Sequence, residues 1–391
     1  MTNELQELIR RAPSLRIGDV AKTSGGSTPS RSRKDFWVSG KAKGLPWVRT
    51  AEIRFEPIFE TQEAVSETAL RECSLAVGLP GTVLVAMFGE GKTRGLSAVL
   101  EIEATFNQAC FAIFPNEAFV PEYLQLWLRN KYRELRQLAK GRGGSQANLN
   151  GSILENLKVP WVQKHIQTTI VDSLQKRLEF SAEARKAAAK QQAELGRLAD
   201  SIIFESLKCA EVRTERLFAA LDEVCSGIGN EWERYRVLGA TRAGIAPARE
   251  RPGKKAEHYK PVTAGTVFYN PMRILIGSIA FVDESDEPGI TSPDYVVLKG
   301  KPSVVDSRWF YYWLRSPLGE RCIQSLARGA VRERMLFNRL AEGEIELPDY
   351  HTQVKASKAL AQIEPMRSAI EAQIAELDLL PQKLLAEIFE V

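Results

Sequence analysis

Hydrophobic and polar positions along this chain follow two different periods. From Val171 onward, apolar or small residues recur at alternating steps of three and four: Leu174, Leu178, Ser181, Ala188, Leu195, Ala199 and Ile202. That spacing marks one face of an α-helix, and the SAEARKAAAKQQAE within it is rich in strong helix formers. The pattern predicts a helix from about Trp161 to Leu207, roughly 70 Å long at 1.5 Å per residue. The tail carries a similar seam at Ile363, Met366, Ile370, Leu377, Leu384 and Ile388, which Pro365 and Pro381 must start, kink or split. Stripes this long need a cover. Antiparallel pairing of the two helices is the economical solution, and packing of each on its own domain is the alternative.

Elsewhere the chain repeats itself. LAKGRGGSQANLNGSILENLKVP (138–160) aligns without gaps on LARGAVRERMLFNRLAEGEIELP (326–348), an offset of 188. PGTVLVAMF from Pro80 answers AGTVFYNPM from Ala264, YLQLWLRN from Tyr123 answers WFYYWLRS from Trp309, and LGRLADSIIFE from Leu195 answers LPQKLLAEIFE from Leu380. The shared order predicts an α+β chain with an internal pseudo-two-fold repeat. Its parts are a domain over 1–159, a long helix over 160–208, a second domain over 209–347 and a second helix over 348–391. In this alignment Q-x-x-I-V (Gln167–Val171) falls opposite KASKA (Lys355–Ala359), and the amide cluster Gln146–Asn150 opposite Arg334–Asn338.

Composition narrows the class. Nothing approaches 18 consecutive apolar residues, and the first twenty are charged, so no membrane association and a cytoplasmic location are expected. Five scattered cysteines without a C-x-x-C pair argue against a disulfide framework or a zinc cluster. Net charge is only +4, but the basic residues are concentrated: eight Lys/Arg against two acids from Lys22 to Arg54, and eight against two again from Arg234 to Lys260. Two such clusters suggest two copies of one surface for an anionic ligand.

Catalytic motifs are scarce. AMFGEGKT (86–93) is a permissive form of the phosphate-binding A-x-x-x-x-G-K-T, in which Lys92 would reach the outer phosphates. A genuine loop of this kind is followed by a helix whose N-terminus faces the phosphates, whereas SAVLEIEATF here reads as a strand, and a hairpin turn fits better. A nucleotide-dependent enzyme using Lys92 is the alternative reading, and a duplicated protein-interaction adaptor a third. The three histidines form no H-E-x-x-H, and NPM (270–272) lacks the remainder of the N-P-P-aromatic methyltransferase motif. No metal or catalytic residue is assigned.

The polar loops suit another purpose. TSGGSTPSRSRKDFW (23–37) and WVRTAEIRF after it supply Ser27, Thr28, Arg31, Arg33, Lys34, Arg49 and Thr50, and GRGGSQANLN (141–150) sets Arg142 beside Gln146 and Asn148. Arginine bonds bidentately to guanine and Asn or Gln to adenine, while hydroxyls and Lys hold phosphates. The second half offers Arg242, Arg249, Arg251, Lys254, Lys255, Arg273, Arg328, Arg332 and Arg334.

The motif series GGSTPS (25–30), PWVRTAEI (46–53), GTVLVAMFGEGKTRG (81–95), ATFNQACFAI (104–113), GRGGSQANLNGSILENLKVP (141–160) and Q-x-x-I-V resembles that of the DNA specificity subunits of type I restriction-modification systems. The resemblance implies two α/β target-recognition domains, each reading half of a bipartite site in double-stranded DNA. Two antiparallel helices would form a coiled coil that sets the spacer and docks two modification subunits, with restriction subunits joining the full complex. It makes Lys92, Thr93, Arg94, Asn107 and Gln108 further DNA contacts and Gln167, Ile170, Val171 and Leu174 partner contacts. S-adenosylmethionine, ATP and Mg would act on partner subunits, leaving this chain non-catalytic.

Overall fold

The computed structural model describes residues 3–38, 44–89, 91–138, 149–208, 211–248, 252–253, 255–327 and 334–390. They form two compact units, one of Met1–Arg185 with Ala375–Val391 and one of Lys186–Ile374. Each is built on an antiparallel four-stranded sheet. In the first unit the spatial order is Thr23–Gly25, Cys110–Ile113, Val83–Ala86, Ser97–Val99. In the second it is Leu221–Glu223, Val296–Gly300, Thr266–Tyr269, Ile279–Phe281. The same chain order, first-fourth-second-third, therefore recurs.

The central strands read VLVA and TVFY because both faces of each sheet are covered and every one of these residues is buried. One face takes a second sheet that includes a single parallel pair, Leu45–Val48 with Ala104–Phe106 in the first unit and Arg236–Thr241 with Gly289–Thr291 in the second. The other face takes an apolar helix, Pro121–Asn130 or Ser307–Arg315. The first of these has Pro121 in its opening turn, where a missing N–H costs nothing. The second is capped by Asp306, whose carboxylate accepts from Trp309 N at 2.9 Å.

The long helix runs Lys164–Lys208, starting three residues later than the seam suggests. Its first turns belong to the first unit's core, where Ile170, Val171 and Leu174 are buried with Leu384, Leu385, Ile388 and Phe389 of the closing helix Ile363–Phe389. Still within this unit, Arg177 pairs with Glu387 at 2.8 Å and Arg185 with Asp378, so the two helices run in opposite directions. In the second unit Ala199, Ile203 and Ile363 join the core, and Gln192 bonds Glu371 at 3.0 Å. Met366, placed on the seam by its spacing, is instead half exposed. The tail is two helices, Tyr350–Leu360 and Ile363–Phe389. The break falls at Ala361–Gln362 and at neither proline. Pro365 sits in the first turn of the second helix, where its nitrogen has no partner to lose, and Pro381 is carried inside.

The repeat has a different register from that of the gap-free alignment. Gln167 is fully buried: its amide donates to Ala118 O (2.8 Å) and Val162 O (2.7 Å), and its carbonyl accepts from Val120 N (2.8 Å). Gln353 makes the same three bonds, to Val304 O (3.1 Å), Pro348 O (2.8 Å) and from Asp306 N (2.9 Å). Gln353, not Lys355, is thus its counterpart, and the offset in this region is 186, the distance from Gln167 to Gln353. On this register Gln146–Asn150 faces Arg332–Leu336 and not Arg334–Asn338.

Candidate nucleic-acid interface

Strand direction gathers the polar loops of the first unit at one end of its sheet. Thr23–Gly25 and Val83–Ala86 run towards that end, and Ser97–Val99 and Cys110–Ile113 leave from it. Residues 26–30, 87–89, 91–96 and 107–109 therefore share an edge. Gly26 N donates to Cys110 O and Ser27 N to Phe106 O, both at 3.0 Å. The Trp47 and Trp37 indoles donate to Ser27 O and Ser30 O, both at 3.2 Å, fixing the path of GGSTPS. Asn107 Oδ1 accepts from Thr50 Oγ1 (3.0 Å), Ala109 N (3.1 Å) and Cys110 Sγ (3.1 Å), while Thr28 donates to Gln108. Burial pushes the Cys110 thiol up to about 12, so it stays an S–H donor. Met87 N bonds Ala109 O (2.8 Å) and Leu149 N bonds Met87 O (3.2 Å), joining further segments to the edge.

A Cβ on Gly26 would collide with the backbone oxygens of Phe106 and Asn107. Gly26→Ala is expected to cost about 1–3 kcal/mol by overpacking, seen as a lowered melting temperature of the first unit; an unchanged melt would show that the loop moves aside without loss.

The cations of this unit fall into two groups. Arg31 pairs with Glu63 at 2.7 Å and lies 3.7 Å from the Trp37 ring centroid. Arg33 pairs with Asp35 (2.6 Å) and Glu72 (3.1 Å), and its hydrogen bond holds the Asp35 carboxyl below the usual range. Arg49 lies 3.8 Å from Glu52 and donates to Gln62. Lys34 and Lys92 are exposed, with no ion pair among the described residues. Thr93 and Arg94 are half-buried in the turn between two antiparallel strands, which Tyr132 holds through Lys92 O (2.6 Å) and Arg136 through Arg94 O (3.0 Å). A strand, Ser97–Val99, follows this turn where a phosphate-binding loop requires a helix.

The second unit builds the same edge. Met335 N bonds Pro271 O at 3.1 Å, the counterpart of Leu149 to Met87. Arg334 pairs with Asp294 at 2.7 Å. Arg242, in the turn after Arg236–Thr241, and Arg273, after Thr266–Tyr269, are exposed with no ion pair among the described residues, and Lys255 is exposed as well. Arg142, Gln146, Asn148, Arg249, Arg251, Lys254, Arg328 and Arg332 lie outside the described residues. Of the expected partner contacts, Gln167, Ile170, Val171 and Leu174 are buried in the core of their own unit. Reasoning from polar loops passed over Met272, Leu275 and Ile276, exposed apolar residues at this edge. The signal was available in NPMRILIGS, where a loop after a strand carries more large hydrophobics than a solvated turn needs.

These features define an α/β binding protein that presents one loop edge twice. A family model described as the type I restriction modification DNA specificity domain matches residues 14–193. The chain is 25% identical over 161 residues to the specificity subunit of the type I restriction enzyme EcoR124I/EcoR124II of Escherichia coli, covering 41% of this chain and 39% of that one. It is 26% identical over 247 residues to the MjaIX specificity subunit of Methanocaldococcus jannaschii, covering 60% and 53%. The matched region thus spans about half or less of these relatives' length. A chain from a type I R-M system structure superposes with TM-score 0.67 at 18% identity, over 96% of this chain and 97% of that one. The HsdS subunit of Thermoanaerobacter tengcongensis gives 0.55 at 18% identity, over 96% of each. Residues 14–193 thus match the type I restriction modification DNA specificity domain, and the chain shares the fold of the solved HsdS subunit.

Proposed function

We propose that this chain is the sequence-specific DNA-binding subunit of a type I restriction-modification complex. Each unit acts as a target-recognition domain reading one half of a bipartite duplex site. The two long helices pair as a coiled coil, fix the unread spacer and dock two modification subunits, while restriction subunits complete the assembly. The chain itself is non-catalytic, and S-adenosylmethionine, ATP and Mg are used by its partners. The observation that carries this reading is the recurrence of one loop edge in both units, each with exposed cations that form no ion pair among the described residues, Lys92 in one and Arg242 and Arg273 in the other. Such groups hold phosphates and position neighbouring side chains over base edges.

Mapping of methylated adenines by the complex with its modification subunits is expected to show two short specified blocks around an indifferent gap. Specific affinity should fall linearly in log–log with salt, and Lys92→Ala or Arg273→Ala should each reduce that slope by about one if the residue holds a phosphate. One continuous specified block, or affinity independent of salt, would contradict the reading.

A further inference from the structure

The loop edge of the second unit carries a chemistry that its counterpart lacks. In the first unit the connection from Val83–Ala86 to Ser97–Val99 exposes Lys92. In the second, Thr266–Tyr269 is connected to Ile279–Phe281 by NPMRILIGS, with Met272 61%, Leu275 52% and Ile276 67% exposed. The loop is held firmly. Asn270 Oδ1 accepts from Met272 N (3.0 Å), Ile276 N donates to Arg273 O (3.1 Å), Gly277 turns the chain at φ 81, and Ser278 Oγ donates to Ala240 O (2.5 Å). Ile274 is buried and pins the turn from below. The exposed side chains therefore form a pre-set ridge, which lowers the cost of ordering them on a ligand.

Charge says what covers that ridge. Arg242 and Arg273, neither ion-paired among the described residues, flank it. Arg242 also lines a cavity of about 410 Å³ together with Leu275, Ile276, Arg315 and Glu320, where two cations outnumber one carboxylate. A ligand that meets bare cations and apolar carbons in one footprint must be anionic at its margin and apolar at its centre. The major groove of duplex DNA has that character where it holds thymine, whose C5-methyl is the apolar group displayed among the base edges and whose phosphates lie on either side.

We propose that Leu275 and Ile276 are specificity-determining residues that read thymine C5-methyl groups in the half-site of the second unit, with Arg242 and Arg273 on the flanking phosphates. This rests on the reading of the chain as a DNA specificity subunit. It makes the two halves recognise by different means, polar contacts in the first and methyl packing in the second.

The test uses the complex with modification subunits and duplexes carrying its methylation-mapped site, with each thymine replaced in turn by uracil, which lacks only the methyl. At one or more thymines of a single half-site, uracil is expected to weaken specific binding roughly fourfold, the effect of one buried methyl-sized group. Ile276→Ala or Leu275→Ala should weaken the thymine duplex similarly and abolish the further loss with uracil, whereas Lys92→Ala should leave that loss intact. The proposal is overturned by tolerance of uracil at every position, by a half-site pair without thymine, or by a uracil penalty that persists undiminished in both variants. It is also overturned if the variants weaken capture of the modification subunit while base discrimination is unchanged, which would make the ridge a protein contact. Failure of the underlying reading is distinguishable, because the wild-type complex would then show no site-specific binding or methylation at all.

Discussion

A chain ending at Ile374 is expected to lose its first unit and keep its second. The removed residues include Leu384, Leu385, Ile388 and Phe389, all buried in the first unit's core. Phe389 stands edge-on to Tyr123 with ring centroids 5.5 Å apart, and Gln6 donates to Glu387 O at 3.0 Å. Each large apolar side chain contributes about 1.5–3 kcal/mol by burial, so four contribute on the order of 8 kcal/mol, which is comparable to the whole stability of a domain. Limited proteolysis should digest residues 3–160 rapidly and leave a resistant fragment that contains Trp309. Ile388→Asp should do the same in milder form, costing about 3–5 kcal/mol by leaving a charge in that core. A truncated chain whose first unit resists protease as the full chain does would refute the assignment of the tail to that core.

The second large effect falls on the two buried glutamines. Gln167→Leu leaves Val120 N–H and the carbonyls of Ala118 and Val162 without partners, and Gln353→Leu does so for Asp306 N–H and the carbonyls of Val304 and Pro348. An unmet buried backbone group costs about 1–3 kcal/mol, so each variant should lose about 3–5 kcal/mol, confined to its own unit. Hydrogen exchange reports this directly: the Val120 amide should lose protection in the first variant and the Asp306 amide in the second. Were Gln167 a docking residue, its variant would keep both stability and protection and would lose only affinity for the modification subunit.

Periodicity made the long helix legible, because a seam with steps of three and four over Leu174, Ser181, Ala188 and Ala199 has no other regular solution, and all four are buried. The turn around Lys92 was legible because β-branched residues follow it where a helix would be needed. What residue identity could not supply was register. Leu138 and Leu326 look alike, and KVP looks like ELP, but equivalence is set by which groups bond the same backbone, and those bonds place Gln353 opposite Gln167. The residues expected to contact a partner are a related case. An apolar helical face announces that something covers it without naming the cover, and here the cover of Ile170 and Leu174 is their own unit. Of the candidate site, the convergence of Ser27, Thr50 and Asn107 was within reach of the motif series. Their role in bonding one another, and the ion pairs of Arg31 and Arg33, depend on distances across the chain that no local pattern encodes.

Assigning the tail to the first unit also orders events during synthesis. Residues 1–185 emerge first, yet the side chains that seal Tyr123 and Val171 from water come only with residues 375–391. At the ~5–20 residues per second of translation, the wait is roughly 10 to 40 s. Throughout it the nascent first half carries an open apolar cleft, and the later half, complete by Ile374, has all its side chains about 1 to 3 s before the first. Completion of the halves is therefore inverted relative to their order of birth, and it is the N-terminal half whose apolar cleft stays open longest.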